Sequence, residues 1–182
     1  MTASAKNLSE IQVWELAPSL RSLQKRVGAP PHLDAKWPCL QDEDRASPAL
    51  LAAIAAFAGT LPGSTSCEAP FQTPGHGFAL DEELARGQPE AFVSDPVWLI
   101  LRADGAMHLG LRPEWAQRIL TLGWGTVHPF ARYMAGAVPP QSLIVFAPRD
   151  EEELIAARSI IEAAYGYAVG RIGDVILPDT RW

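Results

Sequence analysis

Residues 97–111 read VWLILRADGAMHLGL, two apolar runs of strand length either side of an Asp-Gly dipeptide. Asp104-Gly105 tolerates the positive φ angles of a type I′ turn, so this stretch predicts a β-hairpin with strands over 97–102 and 106–111. A two-residue loop sets Arg102 opposite Met107, Leu101 opposite His108 and Ile100 opposite Leu109, and opposed side chains share a face. Trp98, Ile100, Met107, Leu109 and Leu111 then form the core face. Leu99, Leu101, Ala103, Ala106, His108 and Gly110 form the other, where the two small residues leave room above His108.

The flanking segments extend this unit. Ser47-Pro48 opens a helix that Gly59 closes, and its interior, ALLAAIAAFA, is apolar nearly all round, so neighbours are expected on more than one side. Residues 60–77 are rich in Pro, Gly, Ser and Thr and read as a loop or lid, with at most a short strand near Cys67. Residues 78–86 predict a short strand and a helical turn. A helix follows over 113–122, an extended segment over 124–128, a central strand over 142–146, and a long helix over 150–169. Asp150 and Glu153 make a capping-box-like start to the last of these. DVIL, 174–177, reads as a further strand. Towards the N-terminus, a helix near Leu8–Leu16, a second helix over 18–27 and an irregular connection to Ser47 form an arm laid over the body. The fold class is therefore α+β, a two-layer sandwich of a small, mainly antiparallel sheet on helices with an N-terminal helical extension. The expected division is an arm, 1–47, and a domain, 48–182, in one globular unit.

Several function classes are disfavoured. A formal net charge of −6 does not suit a grip on phosphate backbones, so no nucleic-acid partner is expected. The longest apolar run, Ala49 to Ala58, is about half of the ~20 residues that span a bilayer, and no leader pattern follows Met1, so the expectation is a cytoplasmic protein without a membrane partner. Cys39 and Cys67 form no CxxC, and no HxH or HxxxH supplies a local ligand pair, so neither a metal nor another cofactor is expected. No GxSxG elbow and no phosphate-cradling glycine motif occurs.

Two histidines carry the chemistry that remains. His108 lies in the second hairpin strand, and His128 ends the segment GWGTVHP, where the following Pro129 biases it to extended geometry. Two converging imidazoles supply an acid and a base to one substrate. Trp124, Thr126 and His128 alternate onto one face of a strand and would form a wall, with Trp124 stacking on a ligand. Leu101 would line the same face as His108, and His76, in PGHGF, sits in a loop able to close over it. Asp104 is accounted for by its turn and Asp150 by its helix cap.

The blocks DGAMHLGL, GWGTVHPFA and VFAPRDEEEL, in that order, make residues 78–170 similar to small bacterial and fungal proteins of the luciferase family. The resemblance implies that His108 and His128 stand at the family's histidine positions. This chain departs from it at Trp98-Leu99-Ile100-Leu101, where relatives carry histidines, and at Thr126, where relatives carry a carboxylate. The leading expectation is a small cofactor-independent enzyme performing isomerisation, cyclisation or hydration on a hydrophobic molecule, as in specialised metabolism. His108 would be acid or base, His128 its partner and Thr126 a hydrogen-bonding substitute. The rival is a non-catalytic small-molecule or protein-binding module, in which the 49–58 helix and the tryptophans bury against a partner or a second copy as a homodimer.

Overall fold

The computed structural model describes residues 16–172 and 175–176. At its centre β3 (Val97–Arg102) and β4 (Met107–Gly110) pair antiparallel, as the hairpin motif predicts, but in a different register. Leu101 faces Met107, Ile100 faces His108 and Leu99 faces Leu109. The loop holds three residues. Gly105 N–H donates to the Arg102 carbonyl and Gly105 takes φ +88°, while Ala103 joins the turn instead of the strand. A one-residue slip exchanges the faces of one strand relative to the other. Ile100 and Arg102 therefore share a face with His108, and Leu99 and Leu101 lie on the opposite, core face; the expectation that Leu101 lines the histidine side is corrected.

A Cβ at Gly105 would meet Ala46 Cβ at 2.3 Å, and its left-handed backbone disfavours any side chain. Gly105→Ala should cost about 2 to 3 kcal/mol by these two effects together. Urea denaturation would show it as a lower midpoint at unchanged slope; an unchanged midpoint would mean the turn relaxes freely.

Six strands complete the main sheet in the order β1 (Ser64–Glu68), β2 (Gly75–Leu80), β3, β4, β6 (Ser142–Val145), β5 (Gly125–Val127), antiparallel throughout. The β1–β2 hairpin occupies the stretch expected to be loop. STSCE and GHGFAL lack alternation because glycines at 75 and 77 let backbone or sulfur come within 3 Å of where a Cβ would stand. Further along the chain, β7 (Arg171–Ile172) and β8 (Val175–Ile176) form a separate pair; of the expected strand DVIL, Val175 and Ile176 fall among the described residues, and both are strand.

One face of the sheet holds the main core. Leu99, Leu101, Met107, Leu109, Leu143 and Val145 meet α1 (Pro48–Thr60), α2 (Pro113–Thr121) and α4 (Glu151–Ala168) in a single apolar cluster. Ser47 caps α1 by accepting from Leu50 N–H, as predicted, but α1 buries only the stripe Leu50, Ile54 and Ala58. Its remaining alanines are too small to draw a second layer, which corrects the expectation of burial on several sides. Asp150 caps α4. In place of a helix over 18–27 the chain makes one 3-10 turn, Pro18–Leu20. Leu20 and Leu23 are buried there, whereas Val27 is 79% exposed, so no apolar stripe is buried over that length. The helix expected near Leu8 to Leu16 falls almost wholly outside the described residues. Among the described residues no helix is long and apolar enough to cross a membrane.

Candidate functional site: a buried histidine pair

The opposite face of the sheet is where the polar chemistry collects. Pairing carries one row across all six strands, Cys67, Gly77, Ile100, His108, Ile144 and Thr126, and directly paired residues share a face. Two positions along, Gly110 pairs with Ser142, whose carbonyl accepts from His128 N–H just past the end of β5. His128 therefore stands one diagonal step from His108 on the same face. Their rings stack at 3.8 Å between centroids and 18° between planes.

Local chemistry fixes each ring. His128 is the N-cap of a short helix, α3 (Pro129–Tyr133), with Pro129 at its first position. Its Nδ1 accepts from Phe130 N–H at 3.1 Å, so the proton of the neutral ring resides on Nε2. His108 is fully enclosed, and its Nε2 has no hydrogen-bond partner. On the same face the Ser142 hydroxyl and Arg102 Nε are also buried without partners. Buried polar atoms are normally paired, so these three leave hydrogen-bonding capacity on one face of the sheet.

Both imidazoles are held neutral. Burial pushes His108 well below its usual titration range, and neighbouring His128 and Arg102 push it further. His128 is pulled down to about 4, chiefly by burial and then by Arg102. A neutral imidazole can still donate from its N–H to an oxygen that becomes negative in a reaction, and can take a proton when the acceptor is strong enough.

Aromatic rings close the face. Phe130 lies edge-on to His128 at 5.3 Å, and Trp37 stacks on Phe130 at 4.3 Å while meeting His128 edge-on at 6.1 Å. Phe71 packs edge-on against Phe130 at 5.9 Å. Trp37 is 39% exposed, so the ring that meets His128 also meets solvent.

The structure thus brings together His108, His128 and, along the row, Thr126. The other candidates stand elsewhere. Trp124 donates its indole N–H to the Gln24 carbonyl at 2.7 Å and lines a surface cavity of about 270 Å³ with Arg26, Arg149 and Glu153. Neither that cavity nor a second of about 610 Å³ has either histidine in its wall. His76 is exposed and pairs with Leu101, on the core-face register. The room expected above Gly110 is taken by the Glu90 carbonyl, 2.4 Å from where a Cβ would stand. Among the described residues no group of three His, Cys, Asp or Glu side chains is placed to hold a metal ion.

Sequence reasoning missed Trp37, Phe71, Phe130, Ser142 and Arg102. Arg102 alone left a signal, a cation closing an otherwise apolar strand. Trp37 and Phe71 come from irregular segments far from the histidines in sequence, where periodicity carries no information.

Residues 98–164 match the family described as Luciferase domain. Curated relatives include the luciferase of Armillaria gallica, 34% identical over 74 residues, which make 41% of this chain and 28% of that one. The luciferases of Armillaria mellea and Neonothopanus nambi are 38% and 36% identical over 64 residues, each 35% of this chain and 24% of the relative. The chain therefore spans about a quarter of the length of these relatives. No solved structure matches it. The family stretch contains both histidines, Arg102, Thr126, Phe130 and Ser142; Trp37 and Phe71 lie outside it.

Proposed function

We propose, from the match of residues 98–164 to the Luciferase domain family and from the site's geometry, that the chain is a small enzyme that moves a proton on a hydrophobic molecule with His108 and His128, without a bound cofactor. The observation that carries this reading is the stacked and buried pair with the unpartnered Nε2 of His108, covered on the His128 side by Phe130 and Trp37. The tautomers divide the work. His128, whose Nδ1 is occupied by Phe130 N–H, presents Nε2–H to the oxygen of a carbonyl substrate; His108 takes the proton from the neighbouring carbon and returns it to another position. A stacked partner disfavours two cations, so one proton at a time is held. Isomerisation is this exchange itself; a cyclisation or a hydration would add to it a bond from carbon to an internal nucleophile or to a co-substrate water, whose proton passes to the base. The roof of Trp37, Phe71 and Phe130 supplies an apolar cover that excludes water once a ligand lies beneath it.

The test needs no named substrate. A panel of hydrophobic ketones and lactones with an enolisable C–H is incubated in deuterium oxide, and wash-in of deuterium is followed by NMR. The wild type should exchange at least one compound. His108→Ala and His128→Ala should each lower that rate about 10²- to 10⁴-fold, the range for removing a positioned acid or base. Wild-type exchange rates in both variants would end the two-histidine reading. Binding to the panel without exchange would favour the second reading, a binding module, to which the exposed Trp37, Tyr133 and Met134 lend support.

A further inference from the structure

Arg102 ends β3 on the histidine face, and its side chain is 1% exposed. A cation in that position is costly to desolvate, and a methionine would fill the same space. What the guanidinium holds explains its presence. From Nη2 it donates to the Pro38 carbonyl at 3.0 Å and to the Cys39 carbonyl at 2.5 Å, and the Asp104 carboxylate lies 3.4 Å from the same nitrogen. Asp104 in turn accepts from Gln41 N–H at 2.6 Å and from Ala106 N–H at 2.9 Å. The Gln41 side chain accepts from Ala147 N–H at 3.1 Å and donates to the Glu43 and Asp44 carbonyls. Residues 38–46 are thus a strap tied to the β3–β4 turn and the end of β6. Trp37, the residue just before the tie, is the ring seated on Phe130 and His128.

We infer that Arg102 is a positioning residue for the histidine pair: by gripping the Pro38 and Cys39 carbonyls it seats Trp37 over His128 and fixes the path by which a ligand reaches both imidazoles. This rests on reading that face as the ligand site. The charge serves the same end, since Arg102 is among the groups that keep both rings neutral. Lysine replaces it only in part: all three contacts come from one nitrogen, Nη2, and an ammonium, more strongly hydrated than a guanidinium and on a differently shaped stem, is costlier to hold at that buried point.

The experiment uses the full chain without ligand, in wild-type, Arg102→Lys and Arg102→Met forms. Hydrogen exchange reports the strap through the Gln41 and Asp42 amides. NMR reports the C2–H signal of His128, whose position at pH 7 reflects the ring currents of Trp37 and Phe130 and whose titration reflects the nearby charge. Arg102→Met should speed exchange of the strap about tenfold or more, the loss of a charge-assisted hydrogen-bond set. It should also displace the His128 signal and move its titration midpoint upward, though not to that of a free imidazole, because burial remains. Arg102→Lys should loosen the strap and displace the signal while leaving the midpoint low. Unchanged strap exchange in Arg102→Met would overturn the inference. So would faster exchange with an unmoved His128 signal, which would make the fastening a matter of stability alone. Should Arg102→Met fail to fold, the same two readouts on Arg102→Lys decide it. None of these depends on turnover, so failure here and failure of the deuterium wash-in are separate results.

Discussion

Replacing Glu153 by Ala should remove about 3 to 5 kcal/mol of stability, the loss seen when one partner is taken from a buried ion pair. Glu153 turns inward from the first turn of α4, and its carboxylate is shared. Arg26 approaches Oε1 at 3.4 Å from a side chain that is 1% exposed. Arg149 donates to the same oxygen from Nε at 2.9 Å and from its backbone N–H to Oε2 at 3.0 Å. Arg149 retains the Val27 carbonyl and reaches solvent when the carboxylate goes, so its loss is small. Arg26 has no such escape. Burial already works against its charge, as does neighbouring Arg149, and Glu153 is the main group that offsets them, with lesser help from Asp44, the Ala29 carbonyl and the face of the Phe146 ring, 5.6 Å away.

The loss would be about a fifth or more of the stability of an ordinary domain and would lower Tm by roughly 6 to 20 °C at this chain length. A double variant, Arg26→Met with Glu153→Leu, should recover most of it, because the penalty belongs to the stranded cation and not to the missing bridge. Urea denaturation of Arg26→Met, Glu153→Leu and the double closes the cycle, with Glu153→Ala measured beside them. A single-variant loss below ~1 kcal/mol would show that Arg26 finds water in the adjoining cavity.

Glu153 also shows what the sequence reveals and what it hides. Its place three residues after Asp150 marked a helix start, and α4 begins there. That it would face inward to meet Arg26, 127 positions away, is a tertiary fact with no local trace. The same division runs through the fold. Helices α1, α2 and α4 and strands β3 and β6 were legible because capping residues, prolines at first turns and apolar runs act within a few residues. The hairpin was legible in kind but not in register. Asp104 spends its carboxylate on Ala106 and Gln41 N–H groups, which pulls Ala103 into the loop and moves Leu101 to the far face from His108. His128-Pro129 was a cue for α3, with proline at the first helical position. At the site, the histidines and Thr126 could be named from the chain because they lie on regular strands or at a strand end. The roof could not, since Trp37 and Phe71 reach it from segments without a period.

Between pH 6.5 and 4 the protein should lose about 3 kcal/mol of stability through His128 alone, and more through His108. The sign follows from proton counting. His128 titrates at 6.5 in the unfolded chain and at about 4 when folded, so across that interval the unfolded state holds a proton that the folded state lacks. Stability is then full above pH 6.5 and falls by about 1.4 kcal/mol per pH unit for each such group as acid is added. His108, depressed further by burial and by its partner, shares the slope and carries it to lower pH. His32 works weakly the other way, its pKa raised by the exposed hydrogen bond to Asp42. Urea denaturation at pH 7, 6, 5 and 4.5 would give the profile. His108→Leu combined with His128→Asn, which keeps an acceptor for Phe130 N–H, should flatten it. Parallel profiles for wild type and double variant would mean that the rings protonate without resistance. A steep profile confined to the wild type would show that the fold admits the two imidazoles only in their uncharged form. A pair of apolar residues would carry no such acid sensitivity, whereas two neutral rings are what the proposed division of labour, one N–H and one lone pair offered to the same molecule, would use.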